Sequence, residues 1–281
     1  MFGKTRQAWY YKQQQDQSKS QEYFIIYHMV EMIRNDLPRI GTRKLYHMLK
    51  QQLAAYNITI GRDKLFDLLR EWGLLIKKRR RATLTTHSHH WLRKYPNLIA
   101  QKQIYKSNQV WVSDITYIQI KRDFAYLSLL TDAYSRKILG YYLSENLSRE
   151  GPIKALKMAI KQKGKSYVTH HSDRGIQYCC KGYIDILHES FIRISMTEKG
   201  SPYENAIAER VNGILKHEFA CNQTFTSFNK AKNFIDKAIK TYNTIRPHMS
   251  CSYLTPDIAH KTEEIITRKW KNYYKENVKE Y

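Results

Sequence analysis

The sequence reads HSDRG at residues 171–175 and AIAER at residues 206–210, and the predicted fold is built outward from these two segments. Asp173 follows a run at 166–171 in which apolar and polar side chains alternate, a pattern typical of a strand. Glu209 lies in a longer stretch whose apolar residues have helical spacing. The sequence therefore places two carboxylates, separated by 35 residues, on a strand and a helix of an α/β fold.

A third carboxylate, Asp114, lies upstream in QVWVSDITYI at residues 109–118, an apolar run that predicts another strand. Burying a carboxylate without a partner is costly, so such groups are normally neutralised, paired or used to bind a metal. Hard divalent cations such as Mg²⁺ prefer oxygen ligands. Two such ions about 3.5–4 Å apart hold the attacking and leaving oxygens of a phosphodiester displacement. The three carboxylates therefore indicate metal-dependent phosphodiester chemistry.

Lys216 adds a cation to this group. It follows Glu209 by seven residues within 203–219, the range predicted to be helical. Seven residues are close to two helical turns, so both side chains project from one face of the helix. A cation beside paired carboxylates suits an anionic substrate that enters the same groove.

The spacing of these four residues resembles that of a known family. Asp114, Asp173, Glu209 and Lys216 match a pattern of two Asp, a Glu after 35 residues, and a Lys or Arg seven residues further on. On this basis the sequence is similar to the DDE transposases of insertion sequence family three (OrfB type), whose catalytic core is retroviral-integrase-like. Further matching segments are WVSDITY at 111–117, HSDRG with Gln177-Tyr178, KGSPYENA at 199–206, Tyr242-Asn243, Arg246-Pro247-His248 and Leu254-Thr255-Pro256.

The resemblance implies a fold, an activity and a cofactor. The fold is α/β, with a ribonuclease H-like mixed-sheet catalytic core preceded by an all-α helix-turn-helix domain. The activity is cleavage at the ends of an insertion element and strand transfer into target DNA. Asp114, Asp173 and Glu209 are then the catalytic residues and the ligands of two Mg²⁺ ions, for which Mn²⁺ is a possible substitute. Lys216 would hold a phosphate of the DNA.

The resemblance also implies protein partners. In this family a preceding reading frame often supplies another helix-turn-helix and a leucine zipper, and the sequence from Met1 contains neither. We therefore expect an upstream-frame OrfA partner or fusion, together with a homo-oligomer assembled on element-end and target DNA.

The composition favours a nucleic-acid partner. The 281 residues carry a formal net charge of +23, with a pI near 9.7. Folding does not need this excess, which opposes compactness by self-repulsion. Hydrophobic residues make up 42% of the chain, enough for a sizeable core. The alternative is a basic surface without a DNA role, as on a ribosome-associated protein.

Targeting signals are not evident in the sequence. No apolar run approaches the roughly 18 residues needed to span a bilayer, and the N-terminus lacks the apolar segment of a signal peptide. No C-x-x-C pair occurs among the four cysteines, Cys179, Cys180, Cys221 and Cys251. We therefore expect no membrane partner, reduced thiols and a bacterial cytoplasmic, nucleoid-associated location.

Residues 1–76 predict a helical DNA-binding region. We expect a short helix at 5–11, either a polar loop or a solvated turn of helix at 12–19, a helix at 22–34, a second helix from 41 and a third at 62–72. Gly73 is expected to end the third helix. The last two helices suit a helix-turn-helix in which Arg62 and Lys64 contact DNA. A three-helix bundle without a DNA role is the alternative.

Residues 77–108 predict a basic linker, since no Asp or Glu occurs from Trp72 to Ser113. Contacts between such a segment and phosphates release counterions and make DNA binding dependent on salt. We expect these contacts from Lys77, Lys78, Arg79, Arg80 and Arg81. A run of charges is also typical of a solvated surface. No zinc site is predicted at His87, His89 and His90, because cysteine and carboxylate partners are missing nearby.

Residues 109–262 predict the catalytic core, and residues 263–281 a charged tail. Strands are expected at 110–120, 124–130, 137–144, 167–171 and 192–196, and helices at 150–161, 178–189, 203–219 and 228–245. The order β-β-β-α-β-α-β-α is that of ribonuclease H-like folds. Asp132 falls in the turn after the second strand, where we expect it to cap backbone amides and not to take part in catalysis.

Two other functions stay open on the sequence. The chain could be a DNA-binding regulator or an inactive relic, although intact Asp114, Asp173 and Glu209 argue against decay. It could also be a ribonuclease H-like nuclease without strand transfer, although Lys216 and the basic linker argue against this. Metal-dependent cleavage separates the regulator from either enzyme, and product joining separates the transposase from the nuclease.

Overall fold

The computed structural model of the chain describes residues 6–76, 92–100, 102–198 and 205–266. The chain divides into two compact units, residues 1–79 and residues 80–281. The described part of the first unit is helical, and the second is built on a five-stranded sheet. Within the described ranges, no helix is both long enough and apolar enough to cross a membrane. The finer boundaries at 76/77, 108/109 and 262/263 stay predictions.

Helices α1 (Arg6–Asp36), α2 (Thr42–Ala54) and α3 (Arg62–Glu71) form the described part of the first unit. Their apolar residues recur at intervals of three and four, which places them on one face of each helix. The residues of this core are no more than 1% exposed: Ile26, Val30, Leu45, Leu49, Leu53, Leu65, Leu68 and Leu69.

The long helix α1 differs from its prediction. It is continuous from Arg6 to Asp36, so the helices predicted at 5–11 and 22–34 are parts of one helix. Of the two alternatives for 12–19, the turn of helix is confirmed and the loop is wrong. The stretch is polar but contains neither Gly nor Pro. Gln and Lys are good helix formers, so a polar composition does not by itself interrupt a helix.

Gly73 ends α3 as predicted. Its φ is +68°, a left-handed conformation that glycine adopts without a steric penalty. Leu74 N donates to Leu69 O over 2.7 Å, and Gly73 N donates to Arg70 O over 3.1 Å. These two hydrogen bonds form a Schellman motif, which satisfies carbonyl groups at the end of the helix.

The second unit contains strands β1 (Val110–Ile120), β2 (Asp123–Asp132), β3 (Ile138–Ser144), β4 (Thr169–Ser172) and β5 (Arg193–Met196). The order across the sheet is β3-β2-β1-β4-β5. The pairs β1/β2 and β2/β3 are antiparallel, whereas β4 runs parallel to β1 and β5 runs parallel to β4. This mixed sheet confirms the predicted ribonuclease H-like fold class.

The helices of this unit are α4 (Glu150–Ile160), α5 (Ile176–Cys179), α6 (Lys181–Glu189), α7 (Ala206–His217), α8 (Phe228–Thr244) and α9 (Pro256–Lys261), with a 3₁₀ turn at Met249–Cys251. The single helix predicted at 178–189 is wrong, because the backbone of Cys180 is extended (φ −70°, ψ 145°) and separates α5 from α6. α7 lies within the helix predicted at 203–219, and α8 matches its prediction to within one residue.

Neighbouring residues of β1 point into two different cores, because side chains alternate between the faces of a strand. Trp111 is fully buried and packs with Leu139 of β3 and Leu156 of α4. Val112 packs on the opposite face with Ala208 of α7. The sheet therefore has α7 on the face to which the even-numbered residues of β1 point.

Residues 92–98 cover the outer edge of β5. Met196 N donates to Pro96 O over 3.3 Å, and Leu98 N donates to Ser195 Oγ over 2.9 Å. An uncovered edge strand offers unpaired backbone groups to other chains. This part of the predicted linker therefore packs on the sheet and pairs with one backbone N–H of the edge strand.

Asp132 caps the turn between β2 and β3, as predicted. Its Oδ1 accepts hydrogen bonds from Tyr134 N over 3.1 Å, Ser135 N over 2.7 Å and Ser135 Oγ over 2.8 Å. Its Oδ2 accepts from Asn108 N over 2.7 Å. The buried carboxylate is therefore satisfied by local donors, which explains its place in the turn without a catalytic role.

Candidate active site

Asp114 lies in the middle of β1 and points toward α7. Asn212 Nδ2, on α7, donates to Asp114 Oδ2 over 2.7 Å. Ile115 N donates to Asp114 Oδ1 over 2.9 Å. Both oxygens of the carboxylate therefore have a hydrogen-bond partner, which fixes the orientation of the side chain.

Asp173 follows β4 directly and lies next to Asp114. β1 and β4 are parallel, and Val112 lies opposite His171. Asp114 and Asp173 each follow this pair by two residues, so they are neighbours. Gly175 N donates to Asp173 Oδ1 over 3.0 Å. A Cβ atom at Gly175 would lie only 3.0 Å from the same oxygen, so glycine permits this close turn.

Glu209 is an exposed residue in the first turn of α7. Two contacts hold this helix against β1. Asn205 Nδ2 donates to Ser113 O over 3.1 Å, next to Asp114, and Ala208 packs against Val112. The start of α7 is therefore tied to the strand that carries Asp114.

The charge of Asp173 acts on the pKa values of the other two carboxylates. Burial and then the charge of Asp173 raise the pKa of Asp114 to about 7, against the hydrogen bonds from Asn212 and Ile115, and Glu209 adds a smaller repulsion. Burial and the charge of Asp173 also raise the pKa of Glu209. Carboxylates that repel one another in this way favour a proton or a cation between them.

Lys216 lies two turns after Glu209 on α7 and is half-buried. Burial lowers the pKa of its ammonium group, while the negative charge of Asp114 acts in the opposite direction. The ammonium group on α7 is therefore close enough to the carboxylate of Asp114 on β1 to interact with its charge.

The donor chemistry of the three carboxylates fits a divalent cation. Asp114, Asp173 and Glu209 offer only oxygen ligands, which Mg²⁺ prefers. Across the ranges that the structure covers, however, no group of three or more His, Cys, Asp or Glu side chains is already arranged to hold a metal. The hydrogen bond from Asn212 to Asp114 Oδ2 is one contact that a cation would have to share or displace.

The predicted DNA-contacting residues of the first unit lie on the surface of α3. Arg62 and Lys64 are both exposed. Arg62 Nε forms an ion pair with Asp63 Oδ1 over 2.8 Å, and Lys64 Nζ lies 5.3 Å from the ring centroid of Tyr23. The run from Lys77 to Arg81 lies outside the described residues, so its DNA contacts stay a prediction.

Ser172 forms a local hydrogen bond. Its Oγ donates to Asp173 O over 3.0 Å. The neighbouring His171 pairs through Nδ1 with Ser195 Oγ over 2.8 Å, on the adjacent strand β5. The adjacent serine and histidine therefore do not form a nucleophile and base pair.

Sequence reasoning did not identify the ion pair that anchors the far end of α7. Arg246 Nε donates to Glu218 Oε2 over 2.8 Å, and Arg246 Nη2 donates to Glu218 Oε1 over 3.0 Å. Arg246 is only 2% exposed. The Arg246-Pro247-His248 segment, which matches the family pattern, marked Arg246 in the sequence. Its partner Glu218 lies 28 residues away, so no local pattern pointed to the pair.

Asn212 was also not identified from the sequence. It lies three residues after Glu209 and four before Lys216, so the three side chains share one face of α7. That spacing was the available signal, because it places an amide between the candidate carboxylate and the candidate cation.

Comparison with known proteins identifies the family of the chain. Residues 104–202 and residues 190–256 match two models of the integrase core domain. The solved structure of the simian T-cell lymphotropic virus intasome is similar to this chain, with a TM-score of 0.50 and 18% identity, over 79% of this chain and 75% of that chain. A likeness of this degree bears on the fold alone.

Two curated relatives extend over much more of the chain. An insertion element IS600 protein of 31 kDa from Shigella sonnei is 34% identical over 262 residues, which is 91% of this chain and 94% of that protein. The transposase InsF for insertion sequence IS3A from Escherichia coli K12 is 32% identical over 224 residues, 78% of this chain and 76% of that protein. The chain therefore belongs to the IS3 family of DDE transposases, with an integrase core domain.

Proposed function

We propose that Asp114, Asp173 and Glu209 are the catalytic residues of a transposase that cleaves DNA at the ends of an insertion element and joins those ends to target DNA. The observation that carries this proposal is geometric: Asp173 directly follows β4, which runs parallel to β1, the strand of Asp114, and Asn205 ties the start of α7, which bears Glu209, to the same strand. Asp114 and Asp173 at the sheet, with Glu209 on α7, suit a reaction in which bound cations neutralise the carboxylates. Membership of a DDE transposase family gives the reaction class.

The transposases of this family depend on divalent metal ions. Asp114 and Asp173 would share one Mg²⁺ ion, and Glu209 with Asp114 would hold a second, with Mn²⁺ as a possible substitute. When bound, such ions stabilise charge on the attacking and leaving oxygens of a phosphodiester. This donor set suits Mg²⁺ because every ligand is an oxygen.

The residues of the chain act by binding and orientation. The oxygen of a water forms a bond to phosphorus, the bond to the 3′ oxygen breaks, and the leaving 3′ oxygen takes a proton. The freed 3′-hydroxyl then attacks a target phosphodiester in the same way. Lys216 would hold a phosphate of the cleaved end, because a cation on this helix face complements the anionic strand. Such displacements need positioning and charge stabilisation more than covalent chemistry from side chains.

DNA binding is proposed for two further parts of the chain. Arg62 and Lys64 on α3 suit contacts from a helix-turn-helix within residues 1–76. Lys77 to Arg81 suit phosphate contacts at the start of a linker that we place at 77–108. The catalytic core would then be 109–262, followed by the charged tail 263–281.

The assembly that acts in the cell is also a proposal. A homo-oligomer on paired element ends would bring two catalytic sites to one target. An OrfA product of an upstream frame would supply further end recognition, as a partner or a fusion. The high positive charge suits a place at the bacterial nucleoid, in the cytoplasm.

The proposal is tested with Asp173→Asn in oligonucleotides that carry the element ends. We expect loss of cleavage and joining with unchanged affinity for end DNA, because the substitution removes a charge without changing the size of the side chain. Asp185→Asn, at an exposed position of α6, is the matched control and should keep full activity. Joining that survives in Asp173→Asn would refute the assignment, and wild-type cleavage without joining would indicate a nuclease.

A further inference from the structure

The backbone of Phe191, just after α6, has a φ of +55°, a left-handed conformation that bulky side chains rarely adopt. Phe191 N donates to His188 O over 3.0 Å. Ile192 N donates to Leu187 O over 2.9 Å, which completes a Schellman motif at the end of the helix. Glycine normally takes the left-handed position of this motif, as Gly73 does after α3. Phenylalanine at this position therefore strains the backbone.

The side chain of Phe191 does not offset this strain by packing. The residue is 81% exposed, so its ring removes little apolar surface from water. Among the residues that the structure describes, no other aromatic ring and no cation lies against it. Strained residues tend to occur at functional sites, where the strain serves a purpose other than folding. The ring of Phe191 is available to a molecule from outside the chain.

Phe191 lines an open groove of about 490 Å³ beside the outer edge of β5. The other residues that line the groove are Tyr95, Leu98, His188, Ile192, Arg193 and Ile194. None of these described lining residues is acidic. The groove therefore combines two aromatic rings, those of Tyr95 and Phe191, with the guanidinium group of Arg193.

Positive charge collects at this groove. Arg193 is exposed and, within the described ranges, pairs with no acid. Burial and then the charge of Arg193 lower the pKa of Lys102, whose Nζ donates to Thr169 Oγ1 over 3.4 Å on the neighbouring strand. The Cζ atom of Arg93 lies 5.3 Å from the ring centroid of Tyr95. An anion in the groove would relieve the repulsion between these cations.

A nucleobase with its phosphate matches this combination of groups. Bases stack on aromatic side chains, and cations along a groove hold the phosphates of the strand. Stacking on a protein ring needs a base that has left the duplex, because neighbouring base pairs cover both of its faces in the duplex. An apolar peptide would also suit the aromatic rings, but it would leave Arg193 and Lys102 without an anion.

We propose that the groove lined by Tyr95, Phe191 and Arg193 binds an unpaired strand of DNA, with a base against Phe191 and a phosphate at Arg193. This inference rests on the proposed function, because it takes DNA to be the substrate. Arg193 lies opposite Thr169, four residues before Asp173, so about 13 Å of strand separates the groove from the candidate active site. This is less than half of a helical turn of DNA, which is about 34 Å.

The test measures the affinity of the full chain for a short oligothymidine and for an abasic oligonucleotide of the same length, by fluorescence anisotropy. The abasic strand keeps the phosphates but has no bases to stack, so the difference between the two affinities reports the base contacts. Phe191→Gly should weaken oligothymidine binding by about 5-fold or more and leave binding of the abasic strand unchanged. Phe191→Trp keeps an aromatic face and should retain the wild-type difference.

Arg193→Gln tests the phosphate contact separately. It should weaken binding of both oligonucleotides alike, because both carry phosphates. The slope of log affinity against log salt should fall by about 0.7, the contribution of one phosphate contact on a single strand. Phe191→Gly should leave this slope unchanged, because it removes no charge.

The melting temperature separates a binding role of Phe191 from a structural one. Glycine adopts a positive φ without a steric penalty, so Phe191→Gly should keep or raise the melting temperature while it weakens binding. Phe124→Ala is the matched control. Phe124 on β2 is 48% exposed, and its ring centroid lies 6.0 Å from that of Tyr117. This variant should leave oligothymidine affinity unchanged.

The outcomes separate this inference from the proposed function. Unchanged oligothymidine affinity in Phe191→Gly would overturn the inference, and so would an equal loss for the abasic strand or a similar loss in Phe124→Ala. If Phe191→Gly converts a dimer into a monomer in sedimentation with unchanged oligothymidine affinity, the groove is an interface between two copies and the inference is wrong. None of these results affects the proposed function, which is wrong if Asp173→Asn cleaves element ends as well as the wild-type protein does.

Discussion

Replacing Arg246 with Ala should strongly destabilise the second unit, because Arg246 joins the end of α7 to the end of α8. Its guanidinium donates two hydrogen bonds to Glu218, of 2.8 Å and 3.0 Å. The Cζ atom of Arg246 lies 5.6 Å from the ring centroid of Tyr242. The side chains of Arg246 and Glu218 are only 2% and 17% exposed. The substitution therefore leaves a largely buried carboxylate that has lost its bidentate partner.

The magnitude follows from burial and not from bond length. Removing one member of a buried ion pair typically costs about 3–5 kcal/mol. Lys232 and Asp236 on α8 form a pair of the same length, 2.9 Å, but their side chains are 53% and 37% exposed. An exposed pair one helical turn apart contributes only about 0.3–0.5 kcal/mol. Arg246→Ala should therefore cost roughly ten times as much as Lys232→Ala.

Thermal unfolding of both variants measures this difference. For a unit of this size, about 1 kcal/mol shifts the melting temperature by roughly 2–4 °C, so Arg246→Ala should lower it by about 6–20 °C. Arg246→Lys should recover only part of the loss, since an ammonium group does not make the planar bidentate contact. A melting temperature for Arg246→Ala no lower than that of Lys232→Ala would refute the argument from burial.

Three further predictions concern charge. Without metal, the raised pKa of Asp114, about 7 against an ordinary 3.8, means that the folded state holds more protons than the unfolded state between those values. The free energy of unfolding should therefore fall as the pH rises through this window. Chemical denaturation measures it, and the same pH dependence in wild-type protein and in Asp114→Asn would contradict this prediction. Lys216→Ala should reduce joining with little change in melting temperature, whereas a lower melting temperature with full activity would make Lys216 structural. Alanine at all five positions from Lys77 to Arg81 should weaken binding to end DNA and random DNA alike. The slope of log affinity against log salt should fall by at most about five. A loss of affinity confined to end DNA would mean that these residues recognise the DNA sequence.

The strands of the second unit were predictable because their apolar residues form short continuous or alternating runs between turn residues. Asp114 and Asp173 could be assigned to strand positions, and the parallel register that makes them neighbours follows from the fold class. The capping role of Asp132 was predictable for the same reason, since an aspartate in a turn has local amides to accept from.

The remaining features depended on contacts that a local pattern does not contain. The sequence left 12–19 open between a loop and a turn of helix, because a polar stretch suits both, and Gln and Lys are good helix formers. The break at Cys180 depends on how α5 and α6 pack against the sheet. The raised pKa of Asp114 and the ion pair of Arg246 both depend on burial, which arises only when elements distant in the sequence come together.

We expect Asp114, Asp173 and Glu209 together to hold the metal ions of the reaction. The positions of Mn²⁺ ions can be found through their anomalous scattering in crystals of the full chain with end DNA. Two peaks are expected about 3.5–4 Å apart, with Asp114 in contact with both, Asp173 with one and Glu209 with the other. Peaks that lie away from these carboxylates, or that persist in place in Asp114→Asn crystals, would contradict it.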